Sequence, residues 1–179
     1  LSESVNNADL IIRGKNGNYE ISTTKNWLGS SKIIKEGISD LNELKESIIN
    51  YAEGKSLREL SIQGSEEIFS FKLLKVDYDA ENEQILKVHK SNDAGIFQVV
   101  PHKDFVILEI TNHSSSPISV EILEINTPGE VTPFFPNDPY RLTNAERIIK
   151  PGGTITYKDC IYSFAPPYET LMLKGIAKI

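Results

Sequence analysis

Two apolar runs in the second half of the chain set the tightest limit on what it can fold into. Asp104-Phe-Val-Ile-Leu-Glu-Ile110 gives way to the polar segment Thr111-Asn-His-Ser-Ser-Ser-Pro117. A second run, Ile118-Ser-Val-Glu-Ile-Leu-Glu-Ile125, then stops at Asn126-Thr-Pro-Gly129. Both runs are rich in β-branched or aromatic residues at positions of both parities, which fits strands buried on both faces of a sandwich core. Similar segments recur from about residue 68: 68–76, 85–88, 96–100, 131–134, 154–157, 161–164 and 170–176. Turn signals separate them, among them Asp77-Tyr-Asp79, Pro136-Asn-Asp-Pro139, Pro151-Gly-Gly153 and Pro166-Pro167. This spacing predicts a mainly β chain with an immunoglobulin-like antiparallel β-sandwich over 66–179.

Residues 1–65 have a different texture. Leu10-Ile-Ile-Arg13 and Tyr19-Glu-Ile-Ser22 flank Asn16-Gly17, a dipeptide that tolerates positive φ, and so predict a hairpin. Asp40 and Glu43 form a capping-box pattern ahead of Leu41, Leu44, Ile48, Tyr51 and Ala52, which recur on one helical face. The helix is expected over 40–53, with Gly54 as a left-handed C-terminal cap and a further helical turn at 57–60. A lone hairpin and helix are marginal, so this element is expected to pack on or extend one sheet.

Bulk properties exclude several function classes. The net charge is −6 and the lysines and arginines are scattered, which argues against nucleic acid as a partner. No apolar run approaches the roughly 20 residues needed to span a bilayer, so no membrane role is expected. The chain starts at Leu1 without a signal-peptide pattern, which suggests a piece of something longer, with a cytoplasmic location. A single cysteine, Cys160, rules out an internal disulfide.

Candidate chemistry is thin. Cys160 lies beside Asp159 at the start of an apolar strand, and His89, His102 and His113 fall in separate segments. A nucleophilic thiol needs a nearby base and an electropositive setting, so Cys160 is read as structural. The histidines lack metal-ligand spacing, and no cofactor is expected. Asp77-Tyr-Asp79-Ala-Glu81-Asn82-Glu83 imitates a calcium loop, but Asn82 stands where an EF-hand needs glycine and Val88 where it needs glutamate. Asn112-His-Ser114 matches a glycosylation sequon. Phe134, Phe135, Tyr162, Phe164 and Tyr168 cluster near the C-terminus, either as core or as an exposed binding patch. Phosphate-binding and nucleophile-elbow glycine motifs are absent.

The order of the C-terminal elements resembles a known arrangement. A strand ending Ile110-Thr-Asn112, the run Val120 to Ile125, Pro128-Gly129, Pro133-Phe-Phe-Pro-Asn137, Ile149-Lys-Pro-Gly-Gly153 and Ala165-Pro-Pro-Tyr168 follow one another. This is similar to the β-rich domain that follows the catalytic domain in bacterial caspase-like (metacaspase-related) cysteine peptidases. The front end, including Leu57-Arg-Glu-Leu60, is similar to the segment preceding that domain. The family's catalytic histidine and cysteine belong to the separate peptidase domain, so the resemblance implies a non-catalytic accessory module. Its partner would be another protein or its own upstream peptidase domain. Strand addition to a sheet edge is the expected mode. The loops 111–117 and 135–141 are the first candidates for contact, with Asn112, His113, Phe135, Asn137, Tyr140 and Arg141 as partner-binding residues. A carbohydrate-binding sandwich using Phe134, Phe135 and Tyr140 is the alternative, and a stand-alone cysteine hydrolase a third reading.

Overall fold

The computed structural model describes residues 8–24, 31–60, 68–89, 97–136, 142–164 and 170–179. The chain is mainly β, with one α-helix among the described residues. It divides into two compact units. The first comprises Leu1–Ser61, Glu124–Thr132 and Thr170–Met172; the second comprises Ile62–Leu123, Pro133–Glu169 and Leu173–Ile179.

In the first unit, β1 (Leu10–Lys15), β2 (Asn18–Thr23) and β3 (Ile33–Ile38) form a three-stranded sheet in that order. The expected hairpin is present, with Leu10 opposite Thr23 and Lys15 opposite Asn18. Asn16 (φ 52°) and Gly17 (φ 81°) both take left-handed conformations, as a type I′ turn requires. Strand β3 was not anticipated. Its run, Ile-Ile-Lys-Glu-Gly-Ile, has no clean alternation, and its register against β2 is broken twice.

Helix α1 (Leu41–Glu59) starts where expected: the Asp40 carboxylate accepts the Asn42 N–H at 3.1 Å. The Glu43 carboxylate lies 2.7 Å from Lys35 Nζ. The helix does not end at Gly54, which is a correction to the sequence expectation. Gly54 is a buried mid-helix residue, and the helix runs on through the segment expected to form a separate turn. The reason is a backbone contact. A Cβ on Gly54 would lie 2.4 Å from Gly129 Cα, and a Cβ on Gly129 (φ +99°) would lie 2.2 Å from the Asn50 carbonyl oxygen. The turn that carries Gly129 is tied by Asn126, whose Oδ1 accepts the N–H groups of Gly129 (3.0 Å) and Glu130 (2.8 Å). Arg58 lies over the Tyr51 ring and donates from Nη1 to the Asn126 carbonyl at 3.2 Å.

The second unit contains one sheet whole and most of another on one core. In the first, β10 (Thr154–Ser163), β6 (Phe105–Asn112), β4 (Phe69–Asp79) and β5 (Gln84–Val88) lie in that order. In the second, β11 (Met172–Lys178), β7 (Ile118–Ile125) and β8 (Val131–Phe135) follow one another, and the two-residue β9 (Ile148–Ile149) also pairs with β7. Val106, Leu108 and Ile110 of β6 meet Ile118, Val120 and Ile122 of β7 in the shared core, joined by Phe134, Phe135, Ile149, Tyr157, Cys160 and Tyr162. The other face of the first sheet carries a smaller cluster, Leu74, Val76 and Ile107, against which Tyr78, Ile85, Phe105 and Ile161 pack. Strand β6 is therefore apolar on both faces, as its sequence requires.

Two strand expectations need correction. Residues 97–100 are not a strand, although Phe97 and Val99 pack on the core in alternation. Their local bonds form a turn instead, with Asp104 Oδ2 accepting the Val100 N–H at 2.7 Å and the Val100 carbonyl accepting the Asp104 N–H at 2.9 Å. Conversely, 154–157 and 161–164 merge into β10. Tyr157 faces Leu108 and Tyr162 faces Val106, so the ladder breaks around Lys158 and Asp159. The break shifts the inward parity from Ile155 and Tyr157 to Cys160 and Tyr162.

Gly54→Ala separates packing from propensity. Alanine should gain roughly 1 kcal/mol of helix propensity, yet the Gly129 backbone leaves no room for its methyl group. We expect net destabilisation of about 1–3 kcal/mol in urea melts. Gly14→Ala, where a Cβ meets nothing within 4 Å, should leave stability nearly unchanged.

Candidate functional site

The loop 111–117 is built around Asn112, which is fully buried. Its Nδ2 donates to the carbonyls of Ser116 (2.8 Å) and Ile149 (3.0 Å), while its Oδ1 accepts the Ser114 N–H and hydroxyl, each at 2.8 Å. All four hydrogen-bonding positions of the amide are used, so Asn112 holds the loop and offers nothing to a partner. This corrects its assignment as a contact residue. It also closes the Asn112-His-Ser114 sequon in the folded chain, because the acceptor nitrogen is buried and doubly bonded. His113 is exposed, and its Nε2 lies 2.8 Å from Ser70 Oγ.

The aromatic candidates are core residues. Phe134 is 5% and Phe135 1% exposed. Phe134 stacks on Tyr162 with ring centroids 4.4 Å apart, and Phe135 lies tilted against Tyr157 at 4.6 Å. Burial removes Phe135 from the contact residues and removes both phenylalanines as a sugar-stacking platform. Asn137, Tyr140 and Arg141 lie outside the described residues.

Cys160 is 1% exposed. Burial, reinforced by the Asp159 carboxylate, pushes its thiol up to about 11. Its thiolate is therefore scarce at neutral pH, the opposite of what a nucleophile needs. Tyr157 is pushed up to about 12, first by burial and then by the neighbouring Cys160. His89 places its Nε2 2.7 Å from Asp77 Oδ1. In the acidic turn after β4, Asp79 Oδ1 accepts the N–H groups of Glu81 (3.0 Å) and Asn82 (3.2 Å), and Oδ2 accepts Asn82 Nδ2 at 2.8 Å. These bonds make an Asx-type turn. Among the described residues, no three His, Cys, Asp or Glu side chains converge where they could hold a metal. No described helix is long and apolar enough to cross a membrane.

The sheet edges differ from one another. Edge strand β5 is five residues long, carries Lys87, and has its register broken around Leu86. Edge strand β10 is broken around Lys158 and Asp159. Edge strand β8 carries Pro133, which has no N–H to donate. The fourth edge, β11, is seven residues long and contains no proline. Its Leu173 and Ala177 pack on the core, and a Cβ on Gly175 would lie 2.7 Å from the Phe69 ring. The intervening Lys174, Ile176 and Lys178 point to the opposite face. No sequence expectation singled out these three residues, although their alternation, Lys-x-Ile-x-Lys, is visible in the chain.

Asn112→Asp should be costly, because it sets an oxygen against two carbonyls. We expect a loss of about 2–4 kcal/mol in chemical denaturation. The alkaline limb of stability gives a second check. Both raised groups fold best in their neutral forms, so their contribution is intact below the unfolded values of 9.0 and 10.0 and is lost as pH climbs through the folded values. The urea midpoint should hold to about pH 9 and fall steadily toward about pH 12. Cys160→Ala should delay the onset to about pH 10, where Tyr157 and Tyr51, both raised first by burial, begin to lose their contributions. Comparison of the chain with protein-family models, with curated proteins and with solved structures returned no match.

Proposed function

We propose that this chain is a non-catalytic interaction module that binds a protein partner by adding the partner's strand to β11. One observation carries the reading. Among the described residues, of the four strands that end the two sheet orders (the two-residue β9 aside), three carry devices that discourage pairing, and β11 has neither a proline nor a short span. Unpaired backbone groups on such an edge form a ready template for an extended segment. A strand added there gains main-chain hydrogen bonds without any movement of the core. The resemblance of the C-terminal element order to the accessory domain of bacterial caspase-like cysteine peptidases supports placing the module beside a peptidase, as its regulator or docking platform. Either the upstream peptidase domain or a substrate protein would then supply the strand.

Selection from a displayed library of random peptides tests the mode of binding without knowledge of the natural partner. Selected binders should slow amide exchange in β11 and leave the loop 111–117 unchanged. Protection confined to loops, or to any edge other than β11, would refute strand addition.

A further inference from the structure

We infer that β1 of the first unit is a self-association edge, which pairs antiparallel with β1 of a second copy about Ile12. This inference is independent of the strand-addition reading of β11.

The backbone of β1 decides which groups are on offer. The two-residue turn Asn16-Gly17 makes Lys15 and Asn18 the closing hydrogen-bonded pair of the hairpin. Alternate residues of an antiparallel strand turn both backbone groups to the same side, so Lys15, Arg13 and Ile11 spend theirs on β2. The Asp9 carbonyl keeps this parity by accepting the Thr24 N–H at 3.1 Å. Leu10, Ile12 and Gly14 turn their N–H and C=O groups to the free edge. The ladder with β2 runs from Leu10 to Lys15 without a register shift, and the strand carries no proline. Strand β3, on the other edge of the same sheet, has its register shifted twice.

Side chains select the occupant. An antiparallel copy centred on Ile12 sets Ile12 against Ile12, Leu10 against Gly14 and Ile11 against Arg13. Only this register matches the three outward residues of each copy with one another, so that every outward N–H of β1 meets a carbonyl of the other copy. Ile12 is 44% exposed, and a Cβ on Gly14 would meet nothing within 4 Å, which leaves space for the copy's Leu10. Charge does not oppose the pairing. Arg13 is paired with Glu20 at 3.2 Å within its own hairpin. One residue beyond the strand, Lys15 comes opposite the copy's Asp9, whose side chain is 61% exposed while it also holds Lys55 at 3.3 Å. Edge lysines ordinarily deter strand pairing, but here the lysine meets an acid, and opposite charges across a strand pair favour it.

Sedimentation velocity of this chain should show a monomer–dimer equilibrium with a Kd of about 10–100 μM. Amide exchange in β1 should slow as concentration rises through that range. Ile12→Lys sets two ammonium groups opposite each other, and Gly14→Pro removes an edge N–H that β2 does not use. Each should weaken the dimer at least about tenfold, with slow exchange in β6 confirming an intact core. Oxidation reads the register. Ile12→Cys should give a disulfide-linked dimer, because the paired Cα atoms lie about 5.5 Å apart. Lys15→Cys should not, because its counterpart lies about 20 Å away along the strands. A chain still monomeric at about 500 μM would overturn the inference. So would dimers that survive both substitutions, protection that maps away from β1, or equal cross-linking of the two cysteine variants.

Discussion

Strand β6 has to satisfy its backbone along both edges and its side chains on both faces at the same time, and the rest of the sandwich is arranged around that demand. It pairs with β4 from Phe69 opposite Asn112 to Val76 opposite Phe105, and on its other edge it pairs with β10. Val106, Leu108 and Ile110 face the shared core, Ile107 faces the opposite cluster, and all four are fully buried. Burying each such side chain is worth about 1.5–3 kcal/mol. A slip of one residue would turn Glu109 and Thr111 toward the shared core and move Val106, Leu108 and Ile110 off it to the opposite face. Glu109 fixes the register from the polar side by accepting the Thr156 hydroxyl at 2.9 Å. At the strand's end, buried Asn112 locks the exit loop.

What could be read from the sequence follows the same physics. Alternation and two-faced apolar runs located β4 to β8 because they report burial directly. Asn16-Gly17 located its hairpin because few dipeptides accept two positive φ values. Burial alone does not reveal whether a neighbouring strand exists, so 97–100 looked like a strand while the Val100 N–H was bound locally by Asp104. Gly54 looked like a helix stop because the residue that requires its missing side chain, Gly129, lies 75 positions away. Asn112 and Phe135 looked available because a polar loop and an aromatic pair are common at binding surfaces. Their engagement depends on Ile149 and Tyr157, which are distant in sequence. Each miss was a long-range contact that a local pattern cannot carry.

Several shifted pKa values hold their groups in one protonation state near neutrality. Asp104 is held below the usual carboxylate range first by Lys75 and then by the Val100 N–H. Asp79 is lowered by Asn82, and Glu146 by Thr143. These carboxylates are fixed acceptors that hold turns. Cys160 and Tyr157 move the other way and stay protonated well above neutrality. A proton carrier or nucleophile working near pH 7 needs its titration brought toward that pH, and all of these shifts lead away from it.

A layered sheet that is not closed must end in edge strands, and each edge is either blocked or available. Blocking leaves visible marks here: a broken register in β5, a broken register with exposed charges in β10, and Pro133 in β8. These marks cost ladder hydrogen bonds, so their presence on three edges indicates that unwanted pairing is a real hazard for this sheet arrangement. Strand β11 contains no proline and runs for seven residues. The inner side of β11 is sealed by Gly175 on Phe69, and Phe69 pairs with Asn112 at the end of β6. Strand β11 is thus anchored to the most tightly specified part of the core.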